Sequence, residues 1–544
     1  MVKRRYLQVL LSGLLVAEWA STFGVGRARA EATLFDNLGT LHHEITTTSE
    51  LAQKYFDQGL RLVYAFNHEE AITAFTEASR LDPDAPMPYW GVALSLGPNI
   101  NSAMDAKAET RAADAIHKAA ARLVMATPRE RAYVEALATR YSSKKSSSRK
   151  GRDEAYAKAM RRLASEFPDD VDAAVLFAES MMVLRPWDYW RADGRPQPGT
   201  EDIVATLGAA LGRDPNHPGA CHYYIHAVEA SPDPQRALAC ATRLPSLMPG
   251  AGHLVHMPAH IYMRVGRYRD ASERNVHAAT VDREYLLHHP LEGNYATGYY
   301  AHNLHFLNAS LAMEGRSVEA AQVARDLLGK ISVDEIAKEP SLEWYAPTLL
   351  LTMARFGQWG ELIRQPPPPK ELRFTTGLWH YVRGLAFAAT TRFGSAEGEL
   401  LNLRKSLKAL ARVKTTEGKL SRTLLKVAER VLVGEMAARR GEYEAGIQAL
   451  REALQLEATL PYSEPPFWFQ PVRHNLGAVL LLAGRPGDAE SVYREDLRLN
   501  PENGWALHGL VHSLQAQRKD AAQEEARLRT AWAQADIALT GSRF

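Results

Sequence analysis

Cysteine is almost absent from this 544-residue chain: only Cys221 and Cys240 occur, so the fold can carry at most one disulfide. Net charge is almost absent too. The 65 basic and 63 acidic residues nearly cancel, and without residues 1–30 the balance is 60 to 62. That leaves no basic stripe of the kind a sequence-independent nucleic-acid binder needs to release counterions, so no nucleic acid is expected as a partner. The one basic cluster, Lys144-Lys145-Ser146-Ser147-Ser148-Arg149-Lys150, is Ser-rich and reads as a solvated loop. Beyond residue 16 no apolar run approaches a membrane span. Extended Val/Ile/Thr alternation is missing, which argues against strands. Also missing are the His-Glu-x-x-His zincin motif, the Gly-x-Ser-x-Gly elbow, the Walker loop and the dinucleotide fingerprint.

What is present begins with an export pattern. Met1-Val2-Lys3-Arg4-Arg5 is a charged start, residues 7–16 are apolar, and Ala28-Arg29-Ala30 offers small residues for cleavage near Ala30. Residues 1–30 read as a signal peptide that places the mature chain in the periplasm or outside the cell. Arg4-Arg5-Tyr6-Leu7 has the look of a twin-arginine signal, so the export route stays open. An oxidising compartment permits a Cys221–Cys240 bridge; two small buried thiols are the alternative.

From there the chain is punctuated by Gly and Pro into segments of 10–16 residues with helical apolar spacing. Tyr55, Gly59, Ala71, Phe75, Ala78 and Pro83 set a pattern of small, aromatic and helix-stopping residues. Small residues let two antiparallel helices approach, an aromatic ring fills the gap and proline ends the second helix. The pattern returns as Gly266, Tyr268, Ala271 and Ala278, as Gly315, Ala320 and Ala324, and as Gly477, Gly484, Ala489, Tyr493 and Pro501. It resembles the tetratricopeptide repeat family over most of residues 50–535. The resemblance implies an all-α superhelical solenoid of antiparallel helix pairs, whose concave groove holds a peptide or protein. We divide the mature chain into an N-terminal array, residues 31–335, and a plainer C-terminal array, residues 336–544, with the stiff Pro366 to Pro369 segment near the boundary. Two insertions break the spacing. One carries Arg185-Pro186-Trp187-Asp188-Tyr189-Trp190, the other His288-His289-Pro290 and Asn294-Tyr295, and such loops can cover a groove.

Histidine is where the sequence speaks about chemistry. His222-x-x-x-His226 recurs as His256-x-x-x-His260, displaced by 34 residues, one repeat length. A 49-residue shift, the Gly266 to Gly315 spacing, maps His253 onto His302 and His256 onto His305. Residues four apart share a helix face, and equivalent positions line up along a solenoid, so these seven imidazoles are expected to converge. Imidazole donors suit a divalent transition metal, zinc or copper before iron, in a mononuclear or dinuclear site. Glu229 follows His226 by three, and Glu179 precedes it by 47, the Pro168 to Pro215 spacing; either is a candidate general base. The competing reading is a scaffold whose histidines hydrogen-bond a groove-bound peptide without catalysis. A third is metal storage. Trp90, Asn99 and Asn101 form a further aromatic and polar group read as groove lining and a helix stop, while His117, His277 and His380 stand alone and read as structural. The segments 222–229, 252–262 and 302–306 resemble those of exported bacterial tetratricopeptide proteins, a His-rich group that implies the fold and the export and names no reaction.

Overall fold

The computed structural model describes residues 32–141, 148–289, 295–468 and 470–544. The expected signal peptide, residues 142–147 of the basic loop and residues 290–294 of the second insertion lie outside the described residues. Residues from Leu34 to Phe544 form one compact unit.

The first helix pair shows how the local sequence makes the repeat. Ser49 accepts a bond from the Ala52 amide and starts the helix Glu50–Tyr64; Asn67 accepts from Glu70 and starts His68–Leu81. Both caps satisfy amides that have no partner inside the helix. Phe75 then acts as a wedge between successive first helices. A Cβ added at Gly59 would lie 2.6 Å from the Phe75 ring, and one added at Gly91 would lie 2.4 Å from it. Tyr493 does the same between Gly477 and Gly509, at 2.4 and 2.1 Å. We expect Gly91→Ala to destabilise the chain by about 2 kcal/mol through overpacking. An unchanged urea midpoint would mean that Phe75 has room to move.

The described residues contain no strand, only an isolated bridge between Trp190 and Pro196, and successive helices pack as antiparallel pairs. The all-α array predicted from the repeat pattern is the architecture found. No helix among the described residues is long and apolar enough to cross a membrane.

Two elements depart from regular helix where the histidines sit. Pro258 lacks an amide hydrogen and divides one first helix into Gly252–His256 and Pro258–Arg264. The next first helix, Ala301–Glu314, is entered through a π-helical turn, Tyr295–Tyr300, a form that recurs at functional sites.

Long-range ties fix the array. His43, ahead of the first helix, bonds through Nδ1 to Asp172 at 2.7 Å, and Asp172 also accepts from Tyr64 at 2.6 Å and from His217 Nε2 at 3.0 Å. At the other end the Trp505 indole donates to the Ala312 carbonyl at 3.0 Å, and Asp536 accepts from the Ser317 and Val318 amides. Stretches from the two halves of the chain are therefore in direct contact. Cys221 and Cys240 are buried free thiols.

Candidate metal centre

Six of the seven expected histidines converge. His222 and His226 lie on Pro218–Val228, His253 and His256 on Gly252–His256, His260 on Pro258–Arg264 and His302 on Ala301–Glu314. Their donor atoms form two separate triads, His222/His226/His253 and His256/His260/His302, with the atoms of each within 4.8 Å of one another. The triads adjoin: ring centroids are 5.6 Å apart for His226 and His260 and 5.9 Å for His253 and His256. His222 and His256 are 0 % exposed, and His226, His253 and His260 at most 3 %.

His305 does not join them. Its half-buried ring stands edge-on to Tyr345, 5.2 Å away. It belongs to none of the groups whose donor atoms come within reach of one another among the described residues. The expectation that the 49-residue shift would superpose His256 and His305 is corrected accordingly. Glu179 is elsewhere as well. It is buried near Arg140 and Tyr156, its Oε2 has no partner, and burial pushes its carboxyl up to about 7 against the pull of Arg140. The 47-residue spacing aligned it on paper, but the first insertion, which carries the Trp190–Pro196 bridge, is taken up after the helix Val171–Val183 and so leaves no guide to facing.

The hydrogen bonds decide which ring nitrogens are available. His222 Nδ1 lies 2.6 Å from the Tyr64 carbonyl, which can only accept. His226 Nδ1 and His260 Nδ1 each contact one oxygen of the Glu229 carboxylate, the first at 2.8 Å. His256 Nδ1 lies 2.6 Å from Asn275 Oδ1, whose amide orientation is set because Nδ2 donates to the Ala271 carbonyl. All four Nδ1 atoms must therefore carry the hydrogen, which leaves all four Nε2 atoms as lone pairs. Two of these lone pairs meet. His256 Nε2 is 2.9 Å from His260 Nε2, and His226 Nε2 is buried with no partner, whereas His222 Nε2, 3.1 Å from His253 Nε2, accepts a hydrogen from it, since no acceptor holds the His253 hydrogen on Nδ1. Opposed lone pairs at that distance repel unless a cation stands between them. A proton on His260 would serve, and its pKa is indeed raised, because the Glu229 charge outweighs the burial that lowers it. A metal ion would serve as well.

Glu229 is 0 % exposed and is held down to about 2 by His260 and His226, which overcome its desolvation. Its two oxygens are spent on the imidazoles, the carboxylate–histidine arrangement that orients metal-ligating rings, so its place is behind the ligands. Burial, reinforced by neighbouring imidazoles, lowers the pKa values of His222, His253, His256 and His302, and burial also lowers that of His226. All five are thus neutral, as ligation requires.

The cover over the site comes from places that the histidine pattern does not mark. Trp187, from the first insertion, stands edge-on to His226 at 5.1 Å and donates to Asn101 Oδ1 at 3.1 Å. Tyr299, from the π turn, lies 4.8 Å from His253 with its hydroxyl bonded by Asn99 and Asn101. The Asn99 and Asn101 group thus anchors two covering rings, while Trp90 packs with Phe56 and Tyr133 away from the cluster. Phe66 stacks on His226 and His253 and meets His222 edge-on at 4.5 Å. It has φ of 58°, at the turn inside a helix pair where Gly266, Gly315, Gly357, Gly441 and Gly484 stand elsewhere. A bulky residue in the left-handed region costs roughly 1–2 kcal/mol, and the return here is an apolar lid on three imidazoles. Glu464, between two helices of the C-terminal half, is buried, acts on His260 by its charge and is raised to about 7 by burial. Nothing in the sequence around it marks it.

No family model matches the chain, and no curated protein is similar to it. Among solved structures it is similar to the human IFIT1 dimer with m7Gppp-AAAA, at 12 % identity and a TM-score of 0.33, covering 91 % of this chain and 92 % of that one. It is similar also to yeast Tom70, at 12 % identity and a TM-score of 0.29, covering 89 % and 92 %. Likenesses this distant say nothing of ligand or partner.

Proposed function

We propose that this is an exported helical-repeat protein that binds a transition metal, zinc or copper before iron, through His222, His226, His253, His256, His260 and His302. The observation that carries the reading is the convergence of buried Nε2 lone pairs, fixed by acceptors behind the rings, with those of His256 and His260 opposed at 2.9 Å. Burial of the rings favours metal over the peptide-scaffold reading, since a peptide lying along the groove could not touch the five imidazoles that are 0–3 % exposed, His302 alone being half-buried. The cover of Phe66, Trp187 and Tyr299 limits any reactant to a small molecule. Chemistry at such a site would use metal-bound water or metal redox.

The test is metal analysis of the protein exported and purified without an affinity tag. Less than about 0.2 equivalents of any transition metal, with no uptake of added zinc or copper, removes the reading. Because bound metal stabilises only the folded chain, the melting temperature is expected to rise with added metal, by the equivalent of about 2.7 kcal/mol at a hundred times Kd. Exposed His117 is the control, and His117→Ala should respond as the wild type does.

A further inference from the structure

Ligands of a single ion at about 2.1 Å can be no more than roughly 4.2 Å apart, the separation of two nitrogens on opposite sides of it. Each triad comes close to that limit by itself, whereas among the described residues no four histidines bring their donor atoms within 4.8 Å of one another. His226 and His260 are drawn together across the triads, and with Glu229 they form the third such group. But their Nδ1 atoms both point at that carboxylate, so the shared element is an anion behind the ligands.

Charge bears on which ions could sit there. The donors are six neutral imidazoles, and the anion in direct contact with them is Glu229, completely buried. Two divalent ions would leave three uncompensated charges in a site covered by Phe66, Trp187 and Tyr299. Two monovalent ions would leave one. Burying uncompensated charge is strongly unfavourable, so the arrangement selects low charge. Among first-row ions that accept imidazole and settle for three ligands, copper(I) meets both demands.

Resting on the metal-binding reading above, we propose that the cluster holds two copper(I) ions, one on His222/His226/His253 and the other on His256/His260/His302, with Glu229 as their shared counter-charge.

The experiment loads the full exported chain with copper(I) under anaerobic conditions, removes excess metal by desalting and counts copper per chain. Zinc is loaded in parallel. The wild type should retain two copper ions. His222→Ala/His253→Ala and His256→Ala/His302→Ala should each retain one, and their Gln counterparts, which keep a polar side chain in the core, serve where the alanine variants do not fold. Copper X-ray absorption of the wild type gives a reading independent of any variant, with about three nitrogen neighbours per copper expected. One copper per chain, lost entirely in both double variants, overturns the two-ion assignment while leaving metal binding intact. Two zinc ions that resist displacement by copper(I) overturn the monovalent assignment. Retention of neither metal by the wild type sinks the metal-binding reading itself.

Discussion

Glu229→Gln is expected to weaken metal binding at both triads at once, by about ten- to a hundred-fold each, although the residue is not among the proposed ligands. The carboxylate orients His226 through one oxygen and His260 through the other, and it supplies the negative charge against which the cations are bound. Glutamine keeps the size but has one accepting atom and no charge. One imidazole then faces an amide N–H, must change tautomer or turn, and presents the wrong nitrogen. Changes in groups that share one element are strongly non-additive. Adding His226→Ala to Glu229→Gln should therefore cost less than the separate losses combined. Isothermal titration with copper(I) and zinc reads the effect; a variant that keeps wild-type affinity would place Glu229 in a purely structural role. In the metal-free protein the same change leaves a buried imidazole poorly paired, and we expect about 3 kcal/mol of lost stability.

The metal-free protein should also be markedly acid-labile as pH falls below about 6.5. The pKa values of His222, His226, His253, His256 and His302 are all lowered, first of all by burial. In the unfolded chain these rings take up protons near pH 6.5, while in the folded chain they stay neutral to lower pH. The unfolded state therefore binds more protons in that window. Stability falls as pH drops from 6.5 toward the folded values, each ring contributing at most about 1.4 kcal/mol for every pH unit crossed. His260 runs the other way. Its folded pKa is raised, so its contribution is present below pH 6.5 and is lost as pH rises through the folded value. Five groups against one set the sign. Urea unfolding of chelator-treated protein should show several kcal/mol less stability at pH 5 than at pH 7.5. Metal affinity should fall over the same range, since His260, whose pKa is raised, takes up a proton there and a cation then already occupies the site. Equal midpoints at the two pH values would mean that water reaches the rings and that their burial is not what the fold implies.

The repeat grammar was legible because it is local. Gly59, Phe75 and Gly91 specify one close approach, Ser49 and Asn67 specify two helix starts, and their recurrence needs no knowledge of the rest of the chain. The histidine row was legible for the same reason: residues four apart share a face, and a 34-residue displacement repeats the face in the next pair. Sequence offset became an uneven guide to facing across an insertion, because an insertion breaks the correspondence between offset and helix rotation. His302, His305 and Glu179 were all aligned across such a break; His302 joins the cluster and the other two do not.

Sequence by itself determined that the chain is all helical, that its helices pair, and that two His-x-x-x-His turns occupy matching places in neighbouring repeats. Only the tertiary structure decided which nitrogens are free, because that depends on the acceptors behind each ring: the Tyr64 carbonyl, Asn275 and Glu229. It likewise decided that five of the six rings are buried rather than lining an open groove. Phe66, Trp187, Tyr299 and Glu464 reach the cluster from four distant stretches of chain. Periodicity reports the direction in which a side chain leaves its own helix; what meets it there is set by how the helices stack.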